Sequence, residues 1–300
     1  MFSKDHISVC ICTYKRPDLL HNLLRKLVGQ NTKNLFTYSV VIVDNDINQS
    51  AQEIVSKVKK KEGININYFV EPEQNISLAR NKAIQHVKGN LIAFIDDDEY
   101  PNDRWLINLY MALKKFKANG VFGSLSPVFE KTPPRWIKEG KFFDIDRPKT
   151  GTVLNWNETR TSNVLLTKNI FIDNKFDPLF GRTGGEDTDF FKRVKDAGFK
   201  FISCKEAVVY QVVSQDRLKI KWGIKRALRV GMIYIKINNQ GIILKMLALF
   251  DSFIKSLLLI IILPISSFFG KTVFIKYLYK LCANLGKVLG IFGFSIIGYK

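Results

Sequence analysis

The chain contains little cysteine and histidine, with four cysteines and three histidines among its 300 residues. Four cysteines in a chain of this length do not form a disulfide framework, and such usage fits the reducing cytoplasm. Cys10 and Cys12 lie two residues apart in an apparent strand, a spacing compatible with a metal pair or with two buried hydrophobic residues. No further Cys/His pair completes a zinc site, so we favour the buried residues.

Acidic residues are nearly missing from the last third of the chain. Residues 215–300 contain only Asp216 and Asp251 against 14 lysines and arginines, which gives this segment +12 of the chain's net +19. Because these cations are mixed with Leu, Ile, Phe and Tyr, the segment indicates an anionic membrane surface as partner. Nucleic-acid binding, the other reading of the charge, has no recognisable module to support it, and we expect none.

The same segment lacks a long, unbroken apolar run. Residues 256–270 are uncharged but number only 15 and include Pro264, whereas a membrane span needs ~20 apolar residues. We therefore favour an in-plane or re-entrant helix, with a true span, or helices packed only on their own domain, as alternatives. Because Met1–His6 lacks the charged and apolar regions of a signal peptide, we expect the protein at the cytoplasmic face of the plasma membrane, peripheral or monotopic.

The first two thirds of the chain alternate short apolar runs with helical patterns. Apolar runs without a period of two indicate strands buried on both faces, and hence a parallel sheet flanked by helices. In such sheets ligands bind at the carboxyl ends of the strands, which here are Thr13, Asp44, Glu71 and residues 96–98. The predicted strands are 7–12, 40–43, 66–70, 91–95, 120–125, 162–167, 199–203 and 207–213, and the predicted helices are 17–28, 51–61, 77–87, 103–117, 186–197 and 217–237.

The cluster Asp96-Asp97-Asp98-Glu99 directly follows the apolar run 91–95. Carboxylates in a row repel one another, and water screens them poorly at the end of a buried strand. Asp96 and Asp98 have the spacing to bind Mg²⁺ or Mn²⁺ together with diphosphate oxygens. A solvated acidic turn is the alternative for an isolated D-x-D.

Three other residues have two readings each. Asp44 accepts the N–H of a uracil ring or caps the next helix. Arg80 offers a planar fork to a base or phosphate, or is a solvated surface residue. Asp187, which follows Gly184-Gly185-Glu186 at a predicted helix start, serves as a general base for an acceptor hydroxyl or as the helix N-cap. The two glycines permit the close approach of a sugar.

Taken together, these motifs resemble the family 2 glycosyltransferases, which have the GT-A fold. The likeness covers about residues 6–235 and is greatest to bacterial exopolysaccharide enzymes of the succinoglycan glucosyltransferase type. It predicts an α/β, Rossmann-like, mostly parallel sheet as a catalytic domain over 1–214, followed by a basic amphipathic helical tail over 215–300 that associates with membranes. The matching motifs are Cys12-Thr13-Tyr14-Lys15-Arg16-Pro17, Val43-Asp44-Asn45-Asp46, Asn75 with Ala79-Arg80-Asn81, Phe94-Ile95-Asp96-Asp97-Asp98-Glu99 and Gly185-Glu186-Asp187.

The resemblance implies a role for each matched residue. The nucleotide is bound by Thr13, Arg16, Asp44, which contacts the uracil, Arg80, Asp96 and Asp97. Asp98 is the main ligand of the divalent cation, with Asp96 beside it. Asp187 is the catalytic base, and Glu186 is its neighbour at the catalytic centre.

The implied reaction is a single displacement, inverting at the anomeric carbon, from a nucleotide sugar, expected to be UDP-linked. The acceptor is a saccharide, expected to be lipid-linked and to face the ordered segment 127–160, in cell-surface polysaccharide biosynthesis. The sequence departs from the family in two places. Some members have a metal-binding His after the last strand, where this chain has Val209-Tyr210-Gln211. The Gln-x-x-Arg-Trp signature of processive synthases is missing, which indicates one sugar per encounter.

Two other functions are compatible with parts of the pattern. A catalytically inactive, membrane-bound nucleotide-sugar-binding protein would have the same nucleotide motifs, but intact Asp98 and Asp187 argue against it. A metal-dependent nucleotidyltransferase would need a glycine-rich phosphate loop after the first strand. That position holds Thr13-Tyr14-Lys15-Arg16-Pro17, without Gly-x-Gly-x-x-Gly or Gly-Lys-Ser/Thr.

Overall fold

The computed structural model describes residues 4–238 and 241–299, so the first half of the signal-peptide prediction, at Met1–Ser3, lies outside the described residues. Helices and strands alternate along the chain, and the predicted α/β class is confirmed. In chain order they are β1 Asp5–Thr13, α1 Pro17–Val28, β2 Phe36–Asp44, α2 Gln52–Glu62, β3 Ile66–Val70, α3 Ile76–Gln85, β4 Leu91–Phe94, β5 Glu99–Pro101, α4 Trp105–Phe116, β6 Gly120–Phe129, α5 Arg135–Gly140, β7 Val164–Thr167, α6 Glu186–Asp196, β8 Phe201–Val213, α7 Ile220–Asn238, α8 Ile242–Ser267 and α9 Lys271–Ile291.

The eight strands form one sheet in the order β3-β2-β1-β4-β7-β6-β8-β5. The half from β3 to β4 is parallel, and its register pairs Thr13 with Asp44 and Cys10 with Phe94. The other half is antiparallel where β7 pairs with β4 and β6, and where β5 pairs with β8. The parallel order brings the carboxyl ends of β3, β2, β1 and β4 side by side, and Thr13, Asp44 and residues 96–98 lie at or just after these ends.

Both faces of the sheet are covered. Alternation along β1 sends Ile7, Val9 and Ile11 into one core and Cys10 into the other. The first core contains the apolar faces of α1, α2 and α4, and the second contains those of α3 and α6. Cys10 is buried in the second core, as predicted, whereas Cys12 is only partly buried and packs against that core.

Several predicted boundaries differ from the structure, and three of the differences change an element or its surroundings. The two closing strands are one 13-residue strand, β8, because the polar pair Lys205 and Glu206 is exposed within it and does not end it. The segment 127–160, in which no helix or strand was predicted, includes the end of β6, the helix α5 and a 3-10 turn at Trp156–Glu158. The basic helix begins at Ile220, after a 3-10 turn at Gln215–Leu218, and not at 217.

The chain divides into two compact units. The first contains the residues up to Pro127, Asp144–Arg182 and Glu186–Val212. The second contains Val128–Phe143, Thr183–Gly185 and the residues from Val213 onward. The division of the chain into domains 1–214 and 215–300 stays a prediction.

Helices α7, α8 and α9 make up most of the second unit. Gly286 of α9 lies against the backbone carbonyl of Leu228 in α7, where a Cβ atom would collide with it, so this glycine permits close packing of the two helices. Most of the uncharged run 256–270 proves to be the end of a 26-residue helix, α8, which continues through Pro264 to Ser267. By length and composition, α8 is able to cross a membrane.

Most of the apolar surface of α8 is exposed. Only Ser252, Ser256 and Ser266 of this helix are buried, whereas Phe250 is 65% exposed and Phe268, just after it, is 89% exposed. Exposed apolar surface on this scale indicates an interaction with a membrane or another apolar partner. The predicted membrane-associating character of the C-terminal segment therefore rests mainly on α8.

Candidate active site

The first acidic cluster, Asp96-Asp97-Asp98-Glu99, forms the turn that leads from β4 into β5. β4 is buried along its whole length, and the turn leaves the sheet at the carboxyl edge. Carboxylate oxygens of Asp96, Asp98 and Glu99 all lie within 4.8 Å of one another. Asp98 and Glu99 are buried, and 43% of the Asp96 side chain is exposed. The alternative of a solvated acidic turn is therefore wrong.

The crowding of like charges changes the acidity of this cluster. Loss of hydration, followed by the negative charges of Asp98 and Asp97, raises the pKa of Asp96 to about 6 against the opposing effect of Arg80. Burial, followed by Asp96 and Asp98, raises the pKa of Glu99 well above its usual value. These two carboxyl groups are therefore costly to keep charged unless a cation is near.

The cluster fits a hard divalent cation. Mg²⁺ and Mn²⁺ prefer oxygen ligands, and Asp96, Asp98 and Glu99 supply carboxylate oxygens from a single turn. Glu99 Oε1 is buried and has no hydrogen-bond partner among the residues described. A buried acceptor without a partner costs free energy, and a coordinated cation removes that cost. Glu99 is a candidate ligand that sequence reasoning missed, although its position three residues after Asp96 was visible.

Asp97 is held apart from the other three carboxylates. Its Oδ2 accepts a hydrogen bond of 2.9 Å from Thr13 Oγ1, and its Oδ1 lies 3.0 Å from Arg16 Nη1. The same Arg16 nitrogen lies 3.7 Å from Asp98 Oδ2. The loop after β1 and the acidic turn after β4 are thus joined through two residues, Thr13 and Arg16, that the family resemblance places at the nucleotide.

The Asp44 carboxylate is fully buried and accepts three hydrogen bonds. Oδ2 accepts from Ala51 N and from Tyr68 Oη, both at 2.8 Å, and Oδ1 accepts from Asp46 N at 3.1 Å. Ala51 is the N-cap residue of α2, so Asp44 does fix the start of that helix. A carboxylate has about four acceptor positions, which leaves one on Oδ1 for a further donor.

Arg80 joins the two acidic clusters of the sequence. Its guanidinium donates to Glu186 Oε1 and lies 3.7 Å from Asp96 Oδ1. The side chain is only 8% exposed, so the alternative of a solvated surface arginine is wrong. Burial opposes the charge, but Glu186 and Asp96 outweigh it and raise the pKa of Arg80. Asn75 caps α3 by accepting from Ser77 N and Leu78 N, and thereby fixes the helix that carries Arg80.

The second acidic cluster, Glu186-Asp187-Thr188-Asp189, begins α6. Asp187 Oδ1 accepts from Thr188 N at 2.7 Å and from Thr188 Oγ1 at 3.2 Å. Oδ2 of Asp187 accepts no hydrogen bond from a described residue. Asp189 Oδ2 is paired with Arg193 at 2.8 Å. Burial, followed by the charge of Asp187, raises the pKa of Glu186, and Asp187 also raises the pKa of Asp96.

Gly184 and Gly185 both have a backbone that other residues rarely adopt, with φ of 86° and 93°. This conformation alone explains a glycine pair before α6. It does not exclude the predicted close approach of a sugar.

Gln211 and Tyr210 occupy the place where the family resemblance suggested a metal-binding His. Gln211 faces Glu99 in the β5–β8 register, and its Nε2 donates to Asp98 Oδ1 at 3.4 Å. Tyr210 stacks on Tyr100 with ring centroids 5.5 Å apart. Gln211 is therefore a second site residue that the sequence pattern left unassigned.

Comparison with known proteins assigns the family. The family model described as Glycosyl transferase family 2 matches residues 8–174. The succinoglycan biosynthesis protein ExoM of Rhizobium meliloti is 33% identical over 234 residues, which cover 76% of this chain and 74% of that protein. A poly(ribitol-phosphate) beta-glucosyltransferase of Bacillus spizizenii is 28% identical over 141 residues, 47% of this chain but only 22% of that protein.

Solved structures resemble this chain in fold. Residues 1–349 of S. aureus TarS, in complex with UDP-GlcNAc, align with a TM-score of 0.55 and 16% identity over 78% of this chain and 72% of that chain. GalNAc-T7 with UDP, GalNAc and Mn²⁺ aligns with a TM-score of 0.55 and 12% identity over 76% of this chain and 52% of that chain. At such identities the likeness shows a common architecture.

Proposed function

The chain belongs to glycosyl transferase family 2 and has the GT-A fold, and from that premise we propose that it transfers one sugar from a UDP-linked donor to a saccharide acceptor with inversion at the anomeric carbon. The observation that carries this proposal is the junction made by Arg80 between the acidic turn at Asp96 and the start of α6 at Glu186. A cation-binding group and a candidate base are thereby held at the same edge of the sheet.

In this proposal Asp96, Asp98 and Glu99 hold a Mn²⁺ or Mg²⁺ ion. When bound, the ion supplies positive charge that neutralises the departing nucleoside diphosphate. Thr13 and Arg16 fix Asp97 and the loop after β1, so that the phosphate-binding surface is formed before the donor arrives. Preformed polar groups stabilise developing charge better than groups that must first rearrange.

Asp187 is the proposed general base. It takes the proton from an acceptor hydroxyl while that oxygen forms a bond to the anomeric carbon, and the bond from this carbon to the diphosphate oxygen breaks with its electron pair. The two hydrogen bonds from Thr188 orient Oδ1, and Oδ2 has no donor among the residues that the structure describes. Such a base typically contributes a rate factor of ~10² to ~10⁴.

Glu186 is a positioning residue in this scheme. Its Oε1 accepts from the guanidinium of Arg80, so we assign its carboxylate to holding Arg80 and not to the acceptor hydroxyl. Arg80 in turn spans from Glu186 to Asp96 and fixes the distance between the proposed base and the proposed cation site. For the nucleotide base, the remaining acceptor position on Asp44 Oδ1 is the proposed partner of the uracil N–H.

The acceptor is proposed to be a lipid-linked saccharide, in the synthesis of a cell-surface polysaccharide at the cytoplasmic face of the membrane. The support is the name of the Rhizobium relative, a succinoglycan biosynthesis protein, the exposed apolar surface of α8 and the net +12 of residues 215–300. An enzyme whose acceptor is held in a membrane gains from binding the same membrane.

The test is a donor screen on the full-length protein. Purified enzyme is incubated with each of several UDP-sugars, with Mn²⁺ or with EDTA, and release of UDP is measured. We expect release from one UDP-sugar that requires Mn²⁺ and stops in EDTA. UDP release that continues in EDTA would contradict the cation assignment. If the protein neither binds nor cleaves any UDP-sugar, the donor assignment is wrong.

A further inference from the structure

The second compact unit contains a pocket of about 450 Å³. Its walls come from α5, from the residues just after it, from the turn before α7, and from α7 and α9. The lining residues are Trp136, Phe142, Phe143, Arg217, Trp222, Gly223, Arg226, Ala227, Val230, Lys276, Tyr279, Lys280 and Ala283. None of them belongs to the candidate active site.

Helical spacing places these residues on two facing surfaces. The α7 positions 222, 223, 226, 227 and 230 recur at intervals of three and four, as do the α9 positions 276, 279, 280 and 283. Residues at such intervals share one face of a helix. The pocket is therefore a groove between two helices, with Trp136 of α5 also in its lining.

Aromatic rings form the wall of the groove. Trp136 and Phe142 meet with centroids 5.4 Å apart, Phe142 and Tyr279 at 5.6 Å, and Phe143 and Trp222 at 5.8 Å. Trp136 and Phe143 are buried, and both belong to a hydrophobic cluster with Leu218 and Ile275. The wall is thus part of a packed core and suits an apolar chain.

Four cations line the pocket, Arg217, Arg226, Lys276 and Lys280, and the Arg226 guanidinium lies 5.3 Å from the centroid of the Trp222 ring. None of the described lining residues is acidic. Their uncharged polar groups are the Tyr279 hydroxyl and the indole N–H groups of Trp136 and Trp222, so none of these residues carries an amide or carboxylate side chain. A neutral sugar needs amide, hydroxyl and carboxylate partners for its hydroxyl groups. Arginine and lysine instead suit phosphate.

We propose that this groove binds a single-chain lipid phosphate or diphosphate, with the hydrocarbon chain against the aromatic wall and the phosphate at the four cations. The volume lies at the small end of the range for ligand pockets, about 300 to 1,000 Å³, which suits one chain better than the two acyl chains of a phospholipid. This inference rests on the proposed function where it identifies the lipid as the membrane anchor of the acceptor.

The test measures binding to the full-length protein by calorimetry. The probes are farnesyl diphosphate, pyrophosphate, farnesol and dihexanoyl phosphatidylglycerol, which separate chain, phosphate and two-chain lipid. We expect farnesyl diphosphate to bind at least about 10-fold more tightly than each of the other three. If pyrophosphate binds as tightly as farnesyl diphosphate, the groove is only an anion site. If farnesol binds as tightly, it is only an apolar cleft. If the phospholipid binds as tightly, the groove does not select a single-chain lipid. Each of these results overturns the proposal.

Variants connect the binding to this groove. Ala283→Trp fills it, and Lys276→Glu with Lys280→Glu reverses two of its charges. Both are expected to weaken farnesyl diphosphate binding at least about 10-fold. Lys221→Glu with Lys225→Glu is the matched control, because it changes the net charge equally on exposed α7 residues outside the lining. If the control weakens binding as much as the groove variant, net charge and not the groove attracts the probe, and the proposal is wrong.

The result is independent of the sugar transfer. Release of UDP from the donor by Ala283→Trp is expected to equal that of the unchanged protein, because Ala283 has no part in the candidate active site. Failure of the donor screen leaves the lipid measurement interpretable. Conversely, if the protein cleaves its donor but does not bind farnesyl diphosphate more tightly than the other probes, only the groove assignment is wrong.

Discussion

The two acidic clusters of the chain have opposite surroundings. In Asp96–Glu99 the carboxylates of three residues face one another, and one buried oxygen, on Glu99, has no described partner. In Glu186–Asp189 the carboxylates are separated, since Glu186 pairs with Arg80, Asp187 with Thr188 and Asp189 with Arg193. The first cluster therefore contains a buried carboxylate oxygen without a described partner, whereas each carboxylate of the second has one. We propose that the same residue types serve as a cation site after a strand and as a positioned base at a helix start.

The largest expected effect is on the rate of sugar transfer, and it distinguishes the proposed base Asp187 from Asp189 in the same cluster. Asp187→Asn keeps the shape of the side chain but cannot take a proton, so transfer to the acceptor is expected to fall about 10³-fold. The measurement is UDP release with acceptor minus release without it. Asp189→Asn is the matched control in the same helical turn, and it should retain most of the rate. Unchanged transfer by Asp187→Asn would contradict the base assignment.

Removal of the link between the clusters tests how far they depend on one another. Arg80→Gln removes the guanidinium that Glu186 and Asp96 share. Removing one partner of a buried ion pair lowers the free energy of unfolding by about 3 kcal/mol. Denaturant unfolding measures this loss. The double variant Arg80→Gln with Glu186→Gln should recover much of it, since no buried Glu186 charge then remains. No recovery would mean that Arg80 acts through packing.

The pH dependence of stability tests the cation site proposed at the first cluster. A carboxyl group whose pKa is raised in the folded protein stabilises it below its unfolded pKa, and this contribution is lost as pH rises. For Asp96 the loss is centred near pH 6, and Glu99 acts in the same direction. Mn²⁺ should therefore raise the melting temperature more at pH 7.5 than at pH 5. Equal increments at both pH values, or no reduction of the increment by Glu99→Gln, would contradict this account.

The smallest expected effect concerns Gln211. Its amide lies beside Asp98, where the family resemblance suggested a metal-binding His. Gln211→His adds a nitrogen ligand that Mn²⁺ accepts, and Mn²⁺ affinity is expected to rise by about 10-fold or less. Titration calorimetry measures it, with Tyr210→His as a control on the opposite face of β8. Equal effects of the two variants would remove Gln211 from the site.

Sequence patterns predicted the elements better than the contacts between them. The ranges 17–28 and 66–70 match α1 and β3, because strand burial and helical periodicity are local properties. The Arg80–Glu186 pair joins residues 106 positions apart, and the place of Gln211 depends on the β5–β8 register. Neither follows from local spacing. The contact of Trp136 with residues of α7 and α9 in the second unit does not follow from local spacing either, and the orientation of the segment 127–160 towards the acceptor stays a prediction.

The helix α8 shows a different limit. The sequence has an uncharged run of 15 residues, 256–270, that contains Pro264, and this run predicted a short, broken helix. The residues before the run, from Ile242, continue the same apolar surface, with Lys245, Asp251 and Lys255 as the charged residues of α8. Lys255 and Asp251 neutralise each other in an ion pair of 2.7 Å. A count of apolar residues that stops at each charged residue therefore underestimates the length of an apolar helix in which the charges are paired.

Titration of Mn²⁺ into the full-length protein, with and without one substitution in each cluster, tests most directly the claim that only the first cluster binds a cation. Asp98→Asn should weaken Mn²⁺ binding by about 10-fold or more, while Asp187→Asn should leave it within about 2-fold of the unchanged protein. A loss of Mn²⁺ binding in Asp187→Asn equal to that in Asp98→Asn would contradict the account, because the two clusters would then form one metal site.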